Sequence, residues 1–321
     1  MTLHQLSILN YKNIAEATLT FSPHINCFIG NNGEGKTNIL DAIYYLSFTK
    51  SSTTPLDSLN IRHGEDHMML MGRYDTGEAE EEISCGIKLH QKKQFKRNKK
   101  TYKRMADHIG QIPLILISPA DIDIITGASE ARRRFMDILI SQYHPTYLHQ
   151  LMQYNKALLI RNTMLRKEEE PAWDIVGIYE EIMAKAADTI YQTRKELIGQ
   201  LTPHLQDYYN RLSDNRETVG LQYTSHLDRG PLLPMLEENR QKDHIVGHTL
   251  HGIHRDDLQM TLQGHPIRHE GSQGQTKTYL ISLKLAQYTH LRLMHPNTTP
   301  LLLLDDIFDK LDADRVQQII Q

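Results

Sequence analysis

One eight-residue segment near the start of the chain constrains its fold more than any other. It follows the spacing G-x-x-x-x-G-K-T and consists of Gly30-Asn31-Asn32-Gly33-Glu34-Gly35-Lys36-Thr37. The segment comes after the short apolar run His24–Ile29 and before residues 35–47, where apolar side chains recur at helical spacing. Glycines let backbone N–H groups wrap around a phosphate, and the start of a helix adds partial positive charge. The sequence therefore predicts a strand, a phosphate-binding loop and a helix, in that order.

The predicted loop gives specific roles to two of its side chains. The Lys36 ammonium is expected to contact the β- and γ-phosphates of ATP and to take part in catalysis, and the Thr37 hydroxyl is expected to ligate Mg²⁺. The predicted nucleotide-binding residues are Gly30, Asn31, Asn32, Gly33, Glu34, Gly35, Lys36, Thr37 and Asn38.

A second motif places two carboxylates directly after an apolar run. Residues 301–304 are four leucines, and Asp305 and Asp306 follow them. Because a buried strand cannot hold two carboxylates in a core, they should emerge at its carboxyl end, where open α/β sheets bind ligands. We expect Asp305 to ligate Mg²⁺ and Asp306 to be a catalytic residue that polarises the attacking water. A helix N-cap is the alternative role for these aspartates.

A third motif matches the S-x-G-Q core of the ATP-binding-cassette signature and consists of Ser272, Gln273, Gly274 and Gln275. A hydroxyl and glycine amides at the start of a helix form a further anion-binding group. We expect a second subunit to supply it in trans, in an ATP-dependent homodimer. The alternative is an ordinary serine N-cap. A D-loop that crosses the dimer seam is predicted at Asp309, Leu311 and Asp312.

The hydrophobic pattern changes from strand-like to helical and back along the chain. Two amphipathic stretches, Thr146–Lys167 and Asp174–Leu201, predict an antiparallel helix pair, with Pro203 ending the second helix. We expect an α/β fold, namely an ATP-binding-cassette-type ATPase head with a mixed sheet flanked by helices and an inserted, mainly helical lobe. The ATPase domain is assigned to residues 1–117 and 246–321, and the helical lobe to residues 118–245.

A basic segment lies between Glu82 and Asp107, where nine lysines and arginines occur without an acid. Such segregation favours binding to a nucleic-acid backbone, and Phe95 and Tyr102 are candidates for stacking on bases. The candidate DNA-binding residues are Lys92, Lys93, Lys96, Arg97, Lys99, Lys100, Lys103 and Arg104. The alternative is a solvated hairpin whose lysines suit an exposed sheet edge.

Composition excludes several other classes of protein. With 36 basic and 39 acidic residues the chain is not a globally basic nucleic-acid coat. No apolar run approaches the ~20 residues that a membrane-spanning helix needs. No secretory signal is visible, and Cys27 and Cys85 lack the spacing of a metal site. We therefore expect a cytoplasmic protein without a membrane partner.

Five segments together resemble the RecF family, bacterial ATPases related to the heads of SMC and Rad50 proteins. They span nearly the whole chain and are Leu9–Ile14, Thr37–Tyr44, Gly127–Asp137, His251–Leu258 and Asp305–Asp312. The chain departs from the family pattern at Ala120 and Ser129, and Gln111 is a weak match to a Q-loop glutamine. A cassette sheet normally continues beyond the D-loop, so we expect a family C-terminal segment to be missing here.

The resemblance implies a specific activity. It implies that an ATP- and Mg²⁺-dependent homodimer clamps junctions of single- and double-stranded DNA in gaps and, with RecR and RecO, promotes loading of the RecA recombinase on nucleoid DNA. Hydrolysis, stimulated by DNA, is expected to be slow and to reset the clamp, since Asp306 is one methylene shorter than the glutamate usual in cassette transporters.

Two further expectations concern charged residues in the resembling segments. Consecutive helical positions point about 100° apart, so Arg132, Arg133 and Arg134 cannot all face one ligand. At least one of them is expected to form an internal ion pair. The run from His251 to Asp257 is expected to make mainly structural hydrogen bonds, with a catalytic histidine as the alternative.

Two alternative functions use the same phosphate loop. A small-molecule kinase would transfer phosphate to an acceptor instead of water, and it would leave the S-x-G-Q motif without a role. An SMC- or Rad50-like architectural head would need a long coiled coil, whereas the predicted helix pair spans only tens of residues.

Overall fold

The computed structural model describes residues 1–77, 79–213 and 217–307. Contacts divide the described residues into two compact units. The first unit comprises Met1–Pro119 and the described residues from Leu291 onward, and the second comprises Ala120–His290. The division expected from the motifs groups residues 246–290 with the ATPase segments instead. The expected division into an ATPase domain and a helical lobe remains a prediction.

An antiparallel sheet of six strands dominates the first unit, in the order β2-β1-β3-β4-β5-β6. Alternate residues of β3 are buried, which is the pattern of a strand with one face on a core. The strands are β1 (Thr2–Tyr11), β2 (Ile14–Thr20), β3 (His67–Asp75), β4 (Glu80–Lys88), β5 (Gln94–Arg97) and β6 (Lys100–Thr101).

A parallel strand pair and one complete α-helix also lie in the described part of this unit. The helix is α1 (Lys36–Phe48), and the strands are β7 (Leu114–Ile117) and β11 (Leu301–Leu304). The register pairs Leu301 with Leu114 and Leu304 with Ile117. The four-leucine strand is therefore present, and it pairs in parallel with the apolar strand β7.

The strand expected at His24–Ile29 is wrong, because the structure has no strand there. Ile25 and Ile29 are 65% and 95% exposed. The backbone N–H of Ser22 donates to the side chain of Asn26, whose amide donates back to the carbonyl of Ser22. Such local side-chain bonds compete with strand pairing, and the apolar pattern alone did not reveal them.

The second unit is mainly helical. Its helices are α2 (Asp123–Thr126), α3 (Ser129–Ser141), α4 (Pro145–Leu165), α5 (Trp173–Ser213), α6 (Leu232–Glu238), α7 (Arg240–Val246), α8 (Ile267–Glu270) and α9 (Gln273–Met294), the last of which ends beyond the unit. A small antiparallel sheet in the order β10-β9-β8 accompanies them. Its strands are β8 (Val219–Thr224), β9 (Asp257–Leu262) and β10 (His265–Pro266). The predicted α/β class is thus confirmed, with parallel and antiparallel strands in separate sheets.

Helices α4 and α5 form an antiparallel pair. Arg161, late in α4, bonds to Glu180, early in α5, while Tyr147 at the start of α4 meets Arg194 much further along α5. The expected helix end at Pro203 is wrong, since α5 continues through it to Ser213. A proline inside a helix costs about 3 kcal/mol. Packing offsets this cost, because the side chains of α5 remain buried on both sides of the proline.

No helix within residues 1–77, 79–213 and 217–307 combines the length and the apolar character needed to cross a bilayer.

Candidate functional site

The predicted phosphate loop is present between residues 30 and 37. Gly33 and Gly35 have φ angles of 86° and 102°, in the left-handed region that favours glycine. Gly35 occupies the N-cap of α1 and has no side chain to bond the first N–H groups of the helix. These N–H groups lack partners within the helix, as at every helix start. The loop therefore presents free backbone donors where an anion is expected.

The ammonium of Lys36 is held over the loop itself. It donates hydrogen bonds of 2.7 Å to the carbonyl of Gly30 and 2.9 Å to the carbonyl of Asn31. The side chain therefore turns back across the loop, and this places its positive charge beside the predicted phosphate site.

Asp305 lies next to Thr37. The hydroxyl of Thr37 donates to Oδ1 of Asp305 over 2.9 Å. The backbone N–H of Asp305 donates to the carbonyl of Ile117, which extends the β7–β11 ladder by one residue. Partial burial raises the pKa of Asp305; the Thr37 bond opposes this rise, and the charges of Asp306 and Asp41 add to it.

The Thr37–Asp305 pair fits a magnesium ion. Mg²⁺ prefers hard oxygen ligands at about 2.1 Å in octahedral geometry, so adjacent ligands lie about 3.0 Å apart. The observed separation is 2.9 Å. Among the described residues no group of three His, Cys, Asp or Glu side chains is placed to hold a metal. An ion here would therefore take its remaining ligands from nucleotide phosphates and water.

Asp306 follows directly and is exposed. Its φ angle of 47° places its backbone in the left-handed region, which aspartate tolerates better than most residues. Its carboxylate is therefore open to solvent beside the Thr37–Asp305 pair. The D-loop residues Asp309, Leu311 and Asp312 lie outside the described residues.

Asn13 braces the loop, a role that the sequence reasoning missed. Its side-chain N–H group donates to the carbonyl of Gly33 over 2.9 Å, and its side-chain oxygen accepts from Asn38 over 2.7 Å. Asn13 therefore connects the glycine turn of the loop to the first turn of α1. Its position within the resembling segment Leu9–Ile14 was the available signal.

The buried carboxylate of Asp41 fixes the position of α1 through hydrogen bonds. Asp41 is 1% exposed and accepts hydrogen bonds from Tyr11, Lys12, Ser51 and Ser52. Burial alone would raise the pKa of Asp41, but these hydrogen bonds outweigh burial and lower it. The network ties α1 to the turn between β1 and β2, and thereby fixes the helix whose start carries the loop.

The S-x-G-Q segment opens α9 in the second unit. The Ser272 hydroxyl accepts from the backbone N–H of Gln275, and the Gln275 side chain accepts from the backbone N–H of Ser272. This is a reciprocal capping box, so Ser272 does cap the helix. The side chains or backbone of Ser272, Gln273 and Gly274 are exposed. The Ser272 hydroxyl, which accepts a hydrogen bond as the cap, can still donate its own proton.

The basic segment separates into structural and free cations. Lys93 bonds to Asp57 and to the carbonyl of Thr49, and Arg97 and Arg104 pair with Glu81 and Asp107. Each of these three candidate DNA contacts therefore has an acidic partner within the chain, and the Arg104–Asp107 pair lies on the surface. Four exposed lysines make no ion pair within the described part of the chain, namely Lys92, Lys99, Lys100 and Lys103, and Lys96 is half-buried.

The expectation that Phe95 stacks on bases is wrong. Phe95 is 0% exposed and packs against the rings of His108 and Tyr102, with centroids 4.6 and 6.2 Å away. Because side chains alternate along β5, Phe95, which lies between the exposed Gln94 and the half-buried Lys96, points into the core. Asn98 and Lys99, both with positive φ, form the turn that presents the lysines of β5 and β6.

The arginine cluster and the histidine-rich run meet in the second unit. Arg132 forms a bidentate ion pair with Asp257, which is the internal ion pair expected for this cluster. Arg133 donates to the carbonyl of Asp256. Arg194 links the same region to Asp137 and Asp256. These contacts confirm a structural role for the run, since its aspartates hold buried or half-buried arginines.

Comparison with known proteins extends over the whole chain. A profile of the RecF/RecN/SMC N terminal domain family matches residues 2–321. A protein of Phocaeicola vulgatus described as DNA replication and repair protein RecF is 54% identical over 322 residues, which cover 100% of this chain and 87% of its own. The protein of the same description from Porphyromonas gingivalis is 46% identical over 324 residues, covering 100% of this chain and 88% of its own.

Solved structures agree with this assignment. Structures of the recombination mediator protein RecF of the RecFOR pathway, described as RecF-ATP and RecF-ATPrS, superpose with a TM-score of 0.91 at 28% identity, covering 99% of this chain and 88% of theirs. An Smc head bound to the C-winged helix domain of ScpA has a TM-score of 0.58 at 14% identity and covers 100% of this chain and 86% of its own. The second likeness shows the fold alone.

The site and the comparisons lead to one conclusion. The chain belongs to the RecF/RecN/SMC N terminal domain family and, within it, to the RecF proteins, ATPases of bacterial DNA replication and repair.

Proposed function

We propose that this protein binds ATP with Mg²⁺ at the loop of residues 30–38 and that binding drives two copies to close on DNA at gaps. The observation that carries the proposal is the hydrogen bond between Thr37 and Asp305, which joins the loop to the carboxyl end of β11. Mg²⁺ bound there would neutralise charge on the triphosphate. Thr37 and Asp305 would hold the ion, and Lys36 would contact the terminal phosphates.

Hydrolysis is assigned to Asp306 and Lys36. The exposed carboxylate of Asp306 is suited to orient and polarise a water, and Lys36 to stabilise charge on the phosphate. We propose slow, DNA-stimulated turnover, which suits a timing step that opens the dimer.

The second copy is proposed to contribute its Ser272–Gln275 turn. Ser272, Gln273 and Gly274 of this turn are exposed at the start of α9, and a helix start favours an anion. ATP held by one copy would thereby be closed by the other, and the D-loop at Asp309, Leu311 and Asp312 would lie along the seam.

The DNA-binding surface is proposed to be the β5–β6 hairpin together with the loop that precedes β5. Its support is a set of exposed lysines that form no ion pair with any described residue, Lys92, Lys99, Lys100 and Lys103, rather than the paired Lys93, Arg97 and Arg104. Junctions of single- and double-stranded DNA in gaps on nucleoid DNA, and cooperation with RecR and RecO in RecA loading, are proposed from the likeness to RecF proteins.

The test measures the mass of the protein by light scattering with and without ATP and Mg²⁺. We expect the mass to double with ATP in the wild type and to stay monomeric in Lys36→Met and Ser272→Arg. Lys242→Met, which changes an exposed lysine of α7, serves as the control. A Lys36→Met protein that still doubles in mass with ATP contradicts the proposal. Transfer of phosphate to a small acceptor instead of water would favour the kinase alternative.

A further inference from the structure

Glu34 folds back onto the loop in which it lies. Its Oε2 accepts a hydrogen bond of 3.0 Å from the backbone N–H of Asn31, and its Oε1 accepts one of 3.0 Å from the side-chain amide of Asn31. Both carboxylate oxygens are thus engaged by one residue of the phosphate loop. A carboxylate bonded in this way is an anion placed on a backbone donor that the loop would otherwise offer to a phosphate.

The carboxylate lies directly against the start of the loop. A Cβ atom built on Gly30 would come within 2.3 Å of Oε2 of Glu34. Lys36 bonds the carbonyls of the same two residues, Gly30 and Asn31. Two charged side chains of the loop therefore bond to its own first residues: Glu34 accepts from Asn31, and Lys36 donates to the carbonyls of Gly30 and Asn31.

We propose that Glu34 is an internal competitor for the phosphate site, which a nucleotide must displace before it binds. This inference rests on the proposed ATP site and adds a control on its affinity. Displacement costs the two hydrogen bonds to Asn31, and the freed carboxylate then repels the polyphosphate from within the loop. Because the repulsion grows with the charge of the ligand, Glu34 weakens the binding of ATP more than the binding of ADP.

The competing explanation is that Glu34 only braces the loop in its binding shape. The two explanations predict opposite signs. If the carboxylate competes, removing it strengthens nucleotide binding. If it braces, removing it loosens the loop and weakens binding.

The experiment measures equilibrium dissociation constants for ATPγS and ADP with Mg²⁺ by calorimetry, for the wild type, Glu34→Gln and Glu34→Ala. Glu80→Gln, which neutralises an exposed carboxylate of β4, is the matched control. We expect Glu34→Ala to bind ATPγS about tenfold more tightly than the wild type does, since hydrogen bonds to charged groups contribute a free energy of roughly this size. The gain in affinity for ADP should be smaller than tenfold. Glu34→Gln should fall between Glu34→Ala and the wild type, and the control should match the wild type.

The outcomes separate this inference from the proposed ATP site. If the wild type binds, Lys36→Met does not, and both Glu34 variants bind as the wild type does or more weakly, the competitor is refuted while the ATP site stands. If neither the wild type nor Glu34→Ala binds nucleotide, both are refuted. Melting temperatures of the Glu34 variants show that the protein is folded in each case.

Discussion

Thr37 and Asp305 are 268 positions apart in the chain, yet the hydroxyl of one donates to the carboxylate of the other over 2.9 Å. The contact exists because β11 pairs in parallel with β7 and ends level with Ile117, so that Asp305 emerges at the edge where α1 begins. A hydroxyl and a carboxylate at that separation match two adjacent ligands of an octahedral Mg²⁺. The pair is therefore the most direct structural support for Mg²⁺-dependent ATP binding.

We expect Asp305→Asn to abolish most of the advantage that Mg²⁺ gives to ATP binding. The amide is a weaker ligand than a carboxylate for a hard cation, and the affinity in Mg²⁺ should fall at least about tenfold, or roughly 1.4 kcal/mol. Calorimetry with ATPγS in Mg²⁺ and in EDTA measures the difference. Asp188→Asn, an exposed position of α5, controls for the removal of a negative charge. A variant with an undiminished Mg²⁺ effect would contradict this assignment.

We expect Asn13→Ala to weaken ATP binding with little change in melting temperature. The substitution removes the hydrogen bonds to Gly33 and Asn38 that hold the glycine turn to α1. Since these bonds are exposed, their loss should cost about 1 kcal/mol in binding, or roughly fivefold in affinity. Asn297→Ala, at an exposed site, is the control. An unchanged affinity would show that the loop keeps its shape without Asn13.

Motifs with a fixed spacing and a chemical requirement were predictable from the sequence. The Gly33 and Gly35 turn, the start of α1 and the emergence of Asp305 after four leucines all follow from local rules that tertiary structure did not override. The role of Asn13 was hidden, because its partners are a backbone carbonyl and a side chain beyond the β1–β2 turn. Side-chain hydrogen bonds of this kind leave no periodic signal.

Three expectations failed for identifiable physical reasons. The run from His24 to Ile29 is apolar enough for a strand, but Asn26 bonds back to Ser22 instead. Pro203 does not end α5, because burial along the helix outweighs a local penalty. Phe95 belongs to the core, since alternation along β5 decides its direction and the surrounding lysines do not. In the first two cases the competing interaction involved residues that composition and periodicity do not compare.

We expect the lysines of the basic segment to divide into two classes when replaced by alanine. Replacing the exposed Lys99, Lys100 and Lys103 together should weaken DNA binding and lower the slope of log affinity against log salt by about 0.9 for each DNA phosphate that is no longer neutralised. The melting temperature should stay unchanged, because these side chains have no partners among the described residues. Fluorescence anisotropy with gapped DNA at several salt concentrations measures the slope.

Lys93→Ala is the contrasting variant. It removes the ion pair with Asp57 and the bond to the carbonyl of Thr49, so it should lower the melting temperature while leaving the salt slope nearly unchanged. A triple variant with the salt slope of the wild type would place the DNA surface elsewhere.

We expect His108 to make the protein less stable as the pH falls from about 6.5 to 4. His108 is 0% exposed, its Nε2 contacts the carbonyl of Leu46 over 2.7 Å, and its Nδ1 contacts the hydroxyl of Tyr102. Burial lowers the pKa of His108 to about 4. Between that pH and 6.5 the unfolded chain binds the proton and the folded chain does not, so the free energy of unfolding decreases as the pH falls, by ~3 kcal/mol for this group.

The measurement is urea unfolding between pH 4.5 and 6.5. His254 and His290, whose pKa values burial likewise lowers to about 4, should add to the same pH dependence. The amide of His108→Gln can still donate to the carbonyl of Leu46. This variant should therefore remove only part of the pH dependence of the free energy of unfolding, roughly the part that belongs to the uptake of one proton. His63→Gln, at an exposed histidine, should leave the whole profile unchanged. If His108→Gln and the wild type lose stability in parallel across this range, His108 is not the neutral buried imidazole that its contacts indicate.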